Sequence, residues 1–71
     1  MLHSEACERM EMPCLTYNQY RALEWFYMQG EWNNNHEMFE YIRGIYPTTK
    51  KRLDFVVRLT QTLDTFKINL R

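Results

Sequence analysis

The sequence predicts an all-α protein, a compact domain of three to four helices that contains a helix-turn-helix and a long C-terminal helix. Three observations predict this fold class. Apolar residues recur at intervals of three and four in several stretches, helix-capping residues precede those stretches, and no stretch alternates apolar and polar residues as a strand would. With 71 residues and no linker rich in proline, glycine or serine, the chain should form one domain.

Residues 1–14 leave two interpretations open. Ser4 could cap a short helix across Glu5–Glu11 that stops before Pro13, because the residue before a proline disfavours the helical conformation. A poorly ordered acidic arm is the other interpretation. In either case, residues 15–71 are expected to form the helix-turn-helix domain.

The first long helix is predicted from Leu15 to Gln29. Thr16 and Gln19 form a capping-box pattern, in which each side chain bonds the other residue's backbone N–H. Aromatic and aliphatic residues then recur at helical spacing. Gly30 stands where a glycine commonly ends a helix, so the helix should stop there.

A second helix is predicted from about His36 to Arg43, capped by one of the three consecutive asparagines before it. Gly44 should end this helix, because glycine readily adopts the positive φ of a sharp turn. The third helix should start at Pro47, whose fixed φ and missing N–H suit the first helical position. From there it should continue to the end of the chain.

The third helix carries an apolar seam with the alternating spacing of a heptad pattern. Such a seam packs into the core of one chain or against a second chain, and a homodimer is expected. The residues predicted to form a dimer or partner interface are Trp25, Trp32, Leu59, Leu63, Phe66 and Leu70.

The two halves of the chain carry opposite charge, although the net charge is zero. Residues 1–42 contain seven acids and two bases, a net of −5, whereas residues 43–71 contain seven bases and two acids, a net of +5. This polarity suits a surface that faces phosphate and another that faces away from it. It equally suits an acidic half that contacts a basic protein.

The residues expected to bind double-stranded DNA lie in the turn after the second helix and at the start of the third. Short polar side chains and cations at a helix start, directly after a turn, are typical of a recognition helix in the major groove. The predicted contacts are Arg43, Tyr46, Thr48, Thr49, Lys50, Lys51, Arg52 and Arg58. Simpler roles stay open, namely a solvated face for the cations, capping for the threonines and packing for Tyr46.

The spacing of residues 15–59 resembles the helix-turn-helix of sigma-factor region four and related bacterial and phage regulators. The matching residues are Leu15, Gln19, Leu23, Tyr27, Gly30, Glu37, Met38, Gly44, Ile45, Thr49 and Leu53. The resemblance implies a transcriptional regulator that binds double-stranded DNA as a dimer.

The alternative is a small helical protein that binds and modulates another regulatory protein through its acidic, aromatic-rich N-terminal half. The zero net charge favours this alternative. So do Phe39 and Lys50, which stand where the related motifs have alanine and an inward valine.

Other classes of function find little support in the sequence. His3, Cys7, Cys14 and His36 match no zinc signature, so neither a metal nor another cofactor is expected. No nucleophile–base motif or phosphate-binding glycine loop is present, which argues against an enzyme. The sequence shows neither a secretory signal nor an apolar stretch long enough to span a membrane. A cytoplasmic protein is therefore expected.

Overall fold

The computed structural model describes the backbone of residues 2–12 and 14–69, and the side chains of those residues up to Thr65. Within these residues the protein is all-α, as predicted, and contains four helices and no strand. The helices are α1 (His3–Arg9), α2 (Tyr17–Gln29), α3 (Asn35–Ile45) and α4 (Thr49–Asn69). Short connections of three to seven residues join them.

Helix α1 begins at His3, so Ser4 lies inside it and not at its cap. It ends in a Schellman motif, in which Met12 N–H donates to Cys7 O and Glu11 N–H donates to Glu8 O. Glu11 occupies the left-handed position of this motif with a φ of 55°. The motif turns the chain so that the apolar side of this segment, which includes Met12, is buried in the core.

Helix α2 ends at Gln29, as predicted, but it starts at Tyr17 and not at Leu15, because Thr16 is its N-cap. The Thr16 hydroxyl accepts from Gln19 N–H, and the Gln19 side chain accepts from Thr16 N–H, which confirms the capping box. Gly30 is the C-cap, but its φ of −85° is one that any residue adopts. Glycine is needed there for space, because a Cβ at this position would overlap the indole of Trp32.

Helix α3 is capped by Asn34, whose side-chain oxygen accepts from Glu37 N–H at 2.9 Å. The prediction that Gly44 ends this helix with a positive φ is wrong. The helix continues through Gly44 to Ile45, and neither glycine of the described chain has a positive φ. Tyr46, the residue before Pro47, leaves the helical conformation with φ −117° and ψ 85°. Proline therefore sets the end of α3, because it disfavours the helical region for the residue before it.

Helix α4 starts at Thr49 and not at Pro47, which is a second correction. Thr48 takes the capping position, since its hydroxyl accepts from Lys51 N–H at 3.2 Å. The helix then runs without a break to Asn69. Threonine hydroxyls along it donate to the carbonyl four residues earlier, as Thr60 does to Val56 at 2.8 Å.

The core is formed by all four helices and the connection between α1 and α2. Its buried apolar residues are Ala6, Met10, Met12, Leu15, Ala22, Leu23, Met38, Phe39, Ile42, Val56, Leu59 and Leu63. The described part of the α4 seam is therefore buried within one chain. The side chain of Phe66 and the whole of Leu70 lie outside the described residues. No helix in the described part of the chain combines the length and apolar character needed to cross a membrane.

Candidate nucleic-acid interface

Arg52 is the one predicted DNA contact that is buried, with 5% of its surface exposed. Its guanidinium donates to the backbone carbonyls of Tyr46 at 2.8 Å, Met10 at 3.3 Å and Pro47 at 3.2 Å. It also lies 3.5 Å from a carboxylate oxygen of Glu11. Because these partners occupy its donors inside the protein, Arg52 is not available to contact a phosphate.

The Arg52 contacts fix the turn between α3 and α4 and tie it to the end of α1. Two further bonds strengthen the same junction. The Thr49 hydroxyl donates to Glu11 O at 3.2 Å, and Arg43 donates to the Glu11 carboxylate at 2.7 Å. The strained backbone at Glu11 thus presents both its carbonyl and its carboxylate to the start of α4.

Three more of the predicted contacts, namely Thr48, Thr49 and Arg43, are engaged within the chain. Thr48 caps α4, which is the simpler role open to it from the sequence. Arg43 pairs with Glu11 and lies 3.8 Å from Glu40, and 38% of its side chain remains exposed. Arg43 therefore keeps some capacity to interact outside the protein, whereas Thr48 and Thr49 serve the local structure.

Lys50, Lys51 and Arg58 are the predicted contacts that remain as exposed cations. Within the residues described, none of the three forms an ion pair. Lys50 and Lys51 are the second and third residues of α4, and no acid lies in that first turn. The first turn of a helix carries partial positive charge and favours acids, so the two lysines add to the positive potential at this end of α4.

A small pocket opens beside these cations. It is lined by Tyr46, Lys51, Asp54, Phe55 and Arg58 and has a volume of about 180 Å³. The rings of Tyr46 and Phe55 stack with centroids 4.9 Å apart and an interplanar angle of 20°. The three charged residues follow helical spacing of three and four, so α4 presents them on one side.

The stacked pair belongs to a continuous chain of five aromatic rings. Phe55 meets Phe26 edge to face at 5.4 Å, Phe26 lies 5.8 Å from Trp32, and Trp32 lies 5.1 Å from Tyr41. This chain joins α2, α3 and α4, and it places Tyr46 at the pocket. Sequence reasoning missed the pocket, because no local pattern shows that Tyr46 and Phe55 stack.

The residues predicted to form a dimer or partner interface are divided by the structure. Leu59 and Leu63 are buried in the core. Trp32 is half-buried in the aromatic chain, and its indole N–H is buried without an acceptor among the described residues. Trp25 is half-buried and lines a groove of about 170 Å³, together with Arg21, Glu24, Met28 and Leu63.

The structure also locates the two histidines and one tyrosine whose pKa is raised. His3 Nε2 lies 2.8 Å from Leu15 O, and Arg9 donates to His36 Nδ1 at 2.8 Å. In the described part of the chain, no three His, Cys, Asp or Glu side chains lie close enough to hold a metal ion. Partial burial and the nearby Glu24 carboxylate raise the pKa of Tyr20 above its ordinary value of 10.0, so its hydroxyl stays protonated at neutral pH.

No protein-family model, curated protein or solved structure matches this chain. The geometry and charge of the α4 surface therefore carry the functional argument.

Proposed function

We propose that this protein binds double-stranded DNA through the first half of α4 and acts as a small transcriptional regulator. In this proposal Lys50, Lys51 and Arg58 contact phosphates, and Arg43 assists at the edge. This set of DNA contacts is smaller than the set predicted from the sequence, because Arg52, Thr48 and Thr49 form hydrogen bonds within the protein.

The observation that carries the proposal is the pair of lysines in the first turn of α4. A cation near a helix N-terminus is unfavourable by roughly 0.3–1 kcal/mol, the range measured for charges that interact with the helix dipole. Folding alone therefore favours acids at these two positions. When a partner that carries phosphates binds, this unfavourable interaction is offset, because the phosphates interact favourably with both the lysines and the helix terminus.

The packing of α4 supports its use as a docking element. Met38, Phe39 and Ile42 of α3 are buried in the core, and Val56 of α4 is buried with them. The exposed cations thus stand on a helix that is held rigidly by its other side. Lys51 and Arg58 are seven residues apart, or about 10 Å along the helix, so they can reach different phosphates of one strand.

The test is a fluorescence-anisotropy titration of a labelled mixed-sequence duplex at several salt concentrations. We expect binding that weakens as salt rises, because each phosphate contact releases counterions. The double variant Lys50→Ala/Lys51→Ala should reduce the slope of log K against log salt by about two units. Arg21→Ala is the matched control, since it removes an exposed cation from α2 and should leave the slope unchanged.

Absence of duplex binding at low salt would refute the proposal, and so would equal effects of the lysine variant and the Arg21 control. A DNA-binding dimer would place two half-sites roughly 34–36 Å apart. Light scattering of the protein with and without duplex would measure the subunit count directly.

A second candidate function is binding of a regulatory protein, and the groove beside Trp25 favours it. Met28 at its edge is 77% exposed, and the partly buried Trp25 lines the groove beside it. Exposed apolar residues beside a groove commonly mark protein contacts. If the duplex titration fails, Trp25→Ala and Met28→Ala should weaken that interaction, whereas the lysine variant should not.

A further inference from the structure

We infer that the pocket between Tyr46 and α4 binds one unstacked nucleotide, with a preference for guanine. The inference rests on the proposed function in one respect, namely that the nucleotide belongs to a DNA strand held by the neighbouring lysines. It goes beyond that function, because phosphate contacts alone read no base.

The lining of the pocket supplies the three kinds of group that a nucleotide needs. Tyr46 and Phe55 stack on each other and form an aromatic wall, so a base can stack on an outer face of this pair. Lys51 and Arg58 carry the positive charge that a phosphate needs. Asp54 contributes a carboxylate, which accepts hydrogen bonds from the N–H groups of a base. All five residues border the same space.

The volume of the pocket suits a single base. At about 180 Å³ it is smaller than the roughly 300–1,000 Å³ of pockets that enclose drug-sized molecules. A dinucleotide would not fit inside it. The sugar and phosphate would extend from the opening toward the exposed cations.

The carboxylate of Asp54 decides which base fits best. An ionised carboxylate only accepts hydrogen bonds, and its two oxygens suit two adjacent donors. Guanine offers two such donors on its Watson–Crick edge, the ring N–H and the amino group, whereas adenine and cytosine offer one amino group there. Among the described residues Asp54 forms no ion pair, so its oxygens are open to a ligand.

The pocket is held in shape before any ligand binds. Arg52 donates to the carbonyls of Tyr46 and Pro47 and so fixes the backbone that carries the aromatic wall. Phe26 also packs edge to face against Phe55. A preformed site avoids the entropy cost of ordering side chains on binding.

A base that uses its Watson–Crick edge in this pocket cannot be paired in a duplex at the same time. The site therefore takes a guanine from a bulge, a mismatch or a single strand. Unstacking such a base costs less than extruding one from an intact pair, which requires a few kcal/mol. The exposed lysines would hold the flanking duplex while the pocket holds the base.

The first experiment is calorimetric titration of the whole protein with guanosine 5′-monophosphate, cytidine 5′-monophosphate and inorganic phosphate. We expect the guanine nucleotide to bind about tenfold more tightly than the cytosine nucleotide, since a good bidentate contact discriminates bases by roughly 5- to 150-fold. Asp54→Asn should abolish this preference without weakening phosphate binding, because the carboxylate that it removes repels a phosphate. This variant keeps the exposed helix surface intact, so loss of folding does not confuse the result.

Two variants that each remove one cation control for the effect of charge on binding. Lys51→Ala should weaken the binding of both the guanine nucleotide and inorganic phosphate, because Lys51 lines the pocket. Arg21→Ala removes an exposed cation of α2 that does not line the pocket, and it should change neither. Equal affinities for the two nucleotides, or an Asp54→Asn variant that binds like the wild type, would overturn the inference.

A second titration separates this inference from the proposed function. A duplex with one unpaired guanine should bind about tenfold more tightly than the perfectly paired duplex, and Asp54→Asn should make the two equal. Equal wild-type affinity for both duplexes would overturn the inference while duplex binding stands. Binding of guanosine monophosphate without binding of either duplex would refute the proposed function and assign the pocket to a free nucleotide.

Discussion

Three adjacent cations, Lys50, Lys51 and Arg52, have two different environments in this protein. The lysines are exposed, whereas Arg52 is buried and bonded to three carbonyls from two segments of the chain. Arginine suits this position because its planar guanidinium carries five donors in a fixed arrangement. A lysine there would present three donors on one atom and could not reach all three carbonyls.

Replacing Arg52 by Met should therefore lower the free energy of unfolding by about 2–4 kcal/mol, because buried carbonyl acceptors would lose their donors. Lys51→Met at the neighbouring exposed position should change it by about 0.5 kcal/mol or less. Urea denaturation followed by circular dichroism measures both values. Similar losses for the two variants would contradict the structural role of Arg52.

At the scale of the helices, the two glycines of the chain occupy opposite environments. Gly30 ends α2 under the indole of Trp32, whereas Gly44 lies inside α3 with open space where a Cβ would stand. Neither glycine is needed for a positive φ. Their substitution by alanine should therefore change stability in opposite directions.

Gly44→Ala should raise the free energy of unfolding by about 0.5–1 kcal/mol, because alanine favours the helix and meets no neighbour. Gly30→Ala should lower it by about 1–3 kcal/mol, since the new methyl group forces the indole of Trp32 to move. Urea denaturation with tryptophan fluorescence as the probe reports both the stability and the movement of the indole. A stabilised Gly30→Ala variant would show that Trp32 can relocate without cost.

Local signals predicted the helices well because helix caps are made by residues close in sequence. The capping box of α2 and the Asn34 cap of α3 are contacts over three residues. The predicted C-terminal end of α3 and the predicted start of α4 differ from the structure. Pro47 disfavours the helical conformation at Tyr46, and Thr48 takes the capping position of α4. Both effects are local, and stricter weight on the residue before proline would have found them.

The candidate site was less predictable, because its decisive contacts are distant in sequence. The buried Arg52 donates to the carbonyl of Met10, which lies 42 residues earlier in the chain. No spacing rule in the sequence connects these two positions. The stack of Tyr46 on Phe55 likewise depends on how the turn folds back over α4. The exposed lysines were predicted as candidates because a charged surface residue needs no partner to be recognised.

At the scale of the whole molecule, α1 is part of the core. Ala6, Met10 and Met12 are buried among residues of the other helices, and Met10 and Glu11 supply partners of Arg52. Removing this segment takes away apolar burial and leaves the turn before α4 without its main support. The position of the exposed cations of α4 thus depends on residues far from them in sequence.

Deletion of residues 1–12 should lower the free energy of unfolding by more than about 3 kcal/mol, the usual cost of losing a large buried side chain and its contacts. Glu5→Gln/Glu8→Gln is the matched control, because it removes the acidic charge of α1 and leaves the buried residues in place. Thermal unfolding by circular dichroism compares the two. A deletion variant as stable as the full chain would show that α1 contributes nothing to the core.

The 42-residue separation between Met10 and Arg52 also has a consequence for synthesis on the ribosome. At roughly 5–20 residues per second, Met10 is made some 2–8 seconds before the arginine that binds its carbonyl. A helix as short as α1 is not stable alone in water. During that interval the methionines of the nascent segment lack their final neighbours, so α1 can become stable only after α4 has been synthesised.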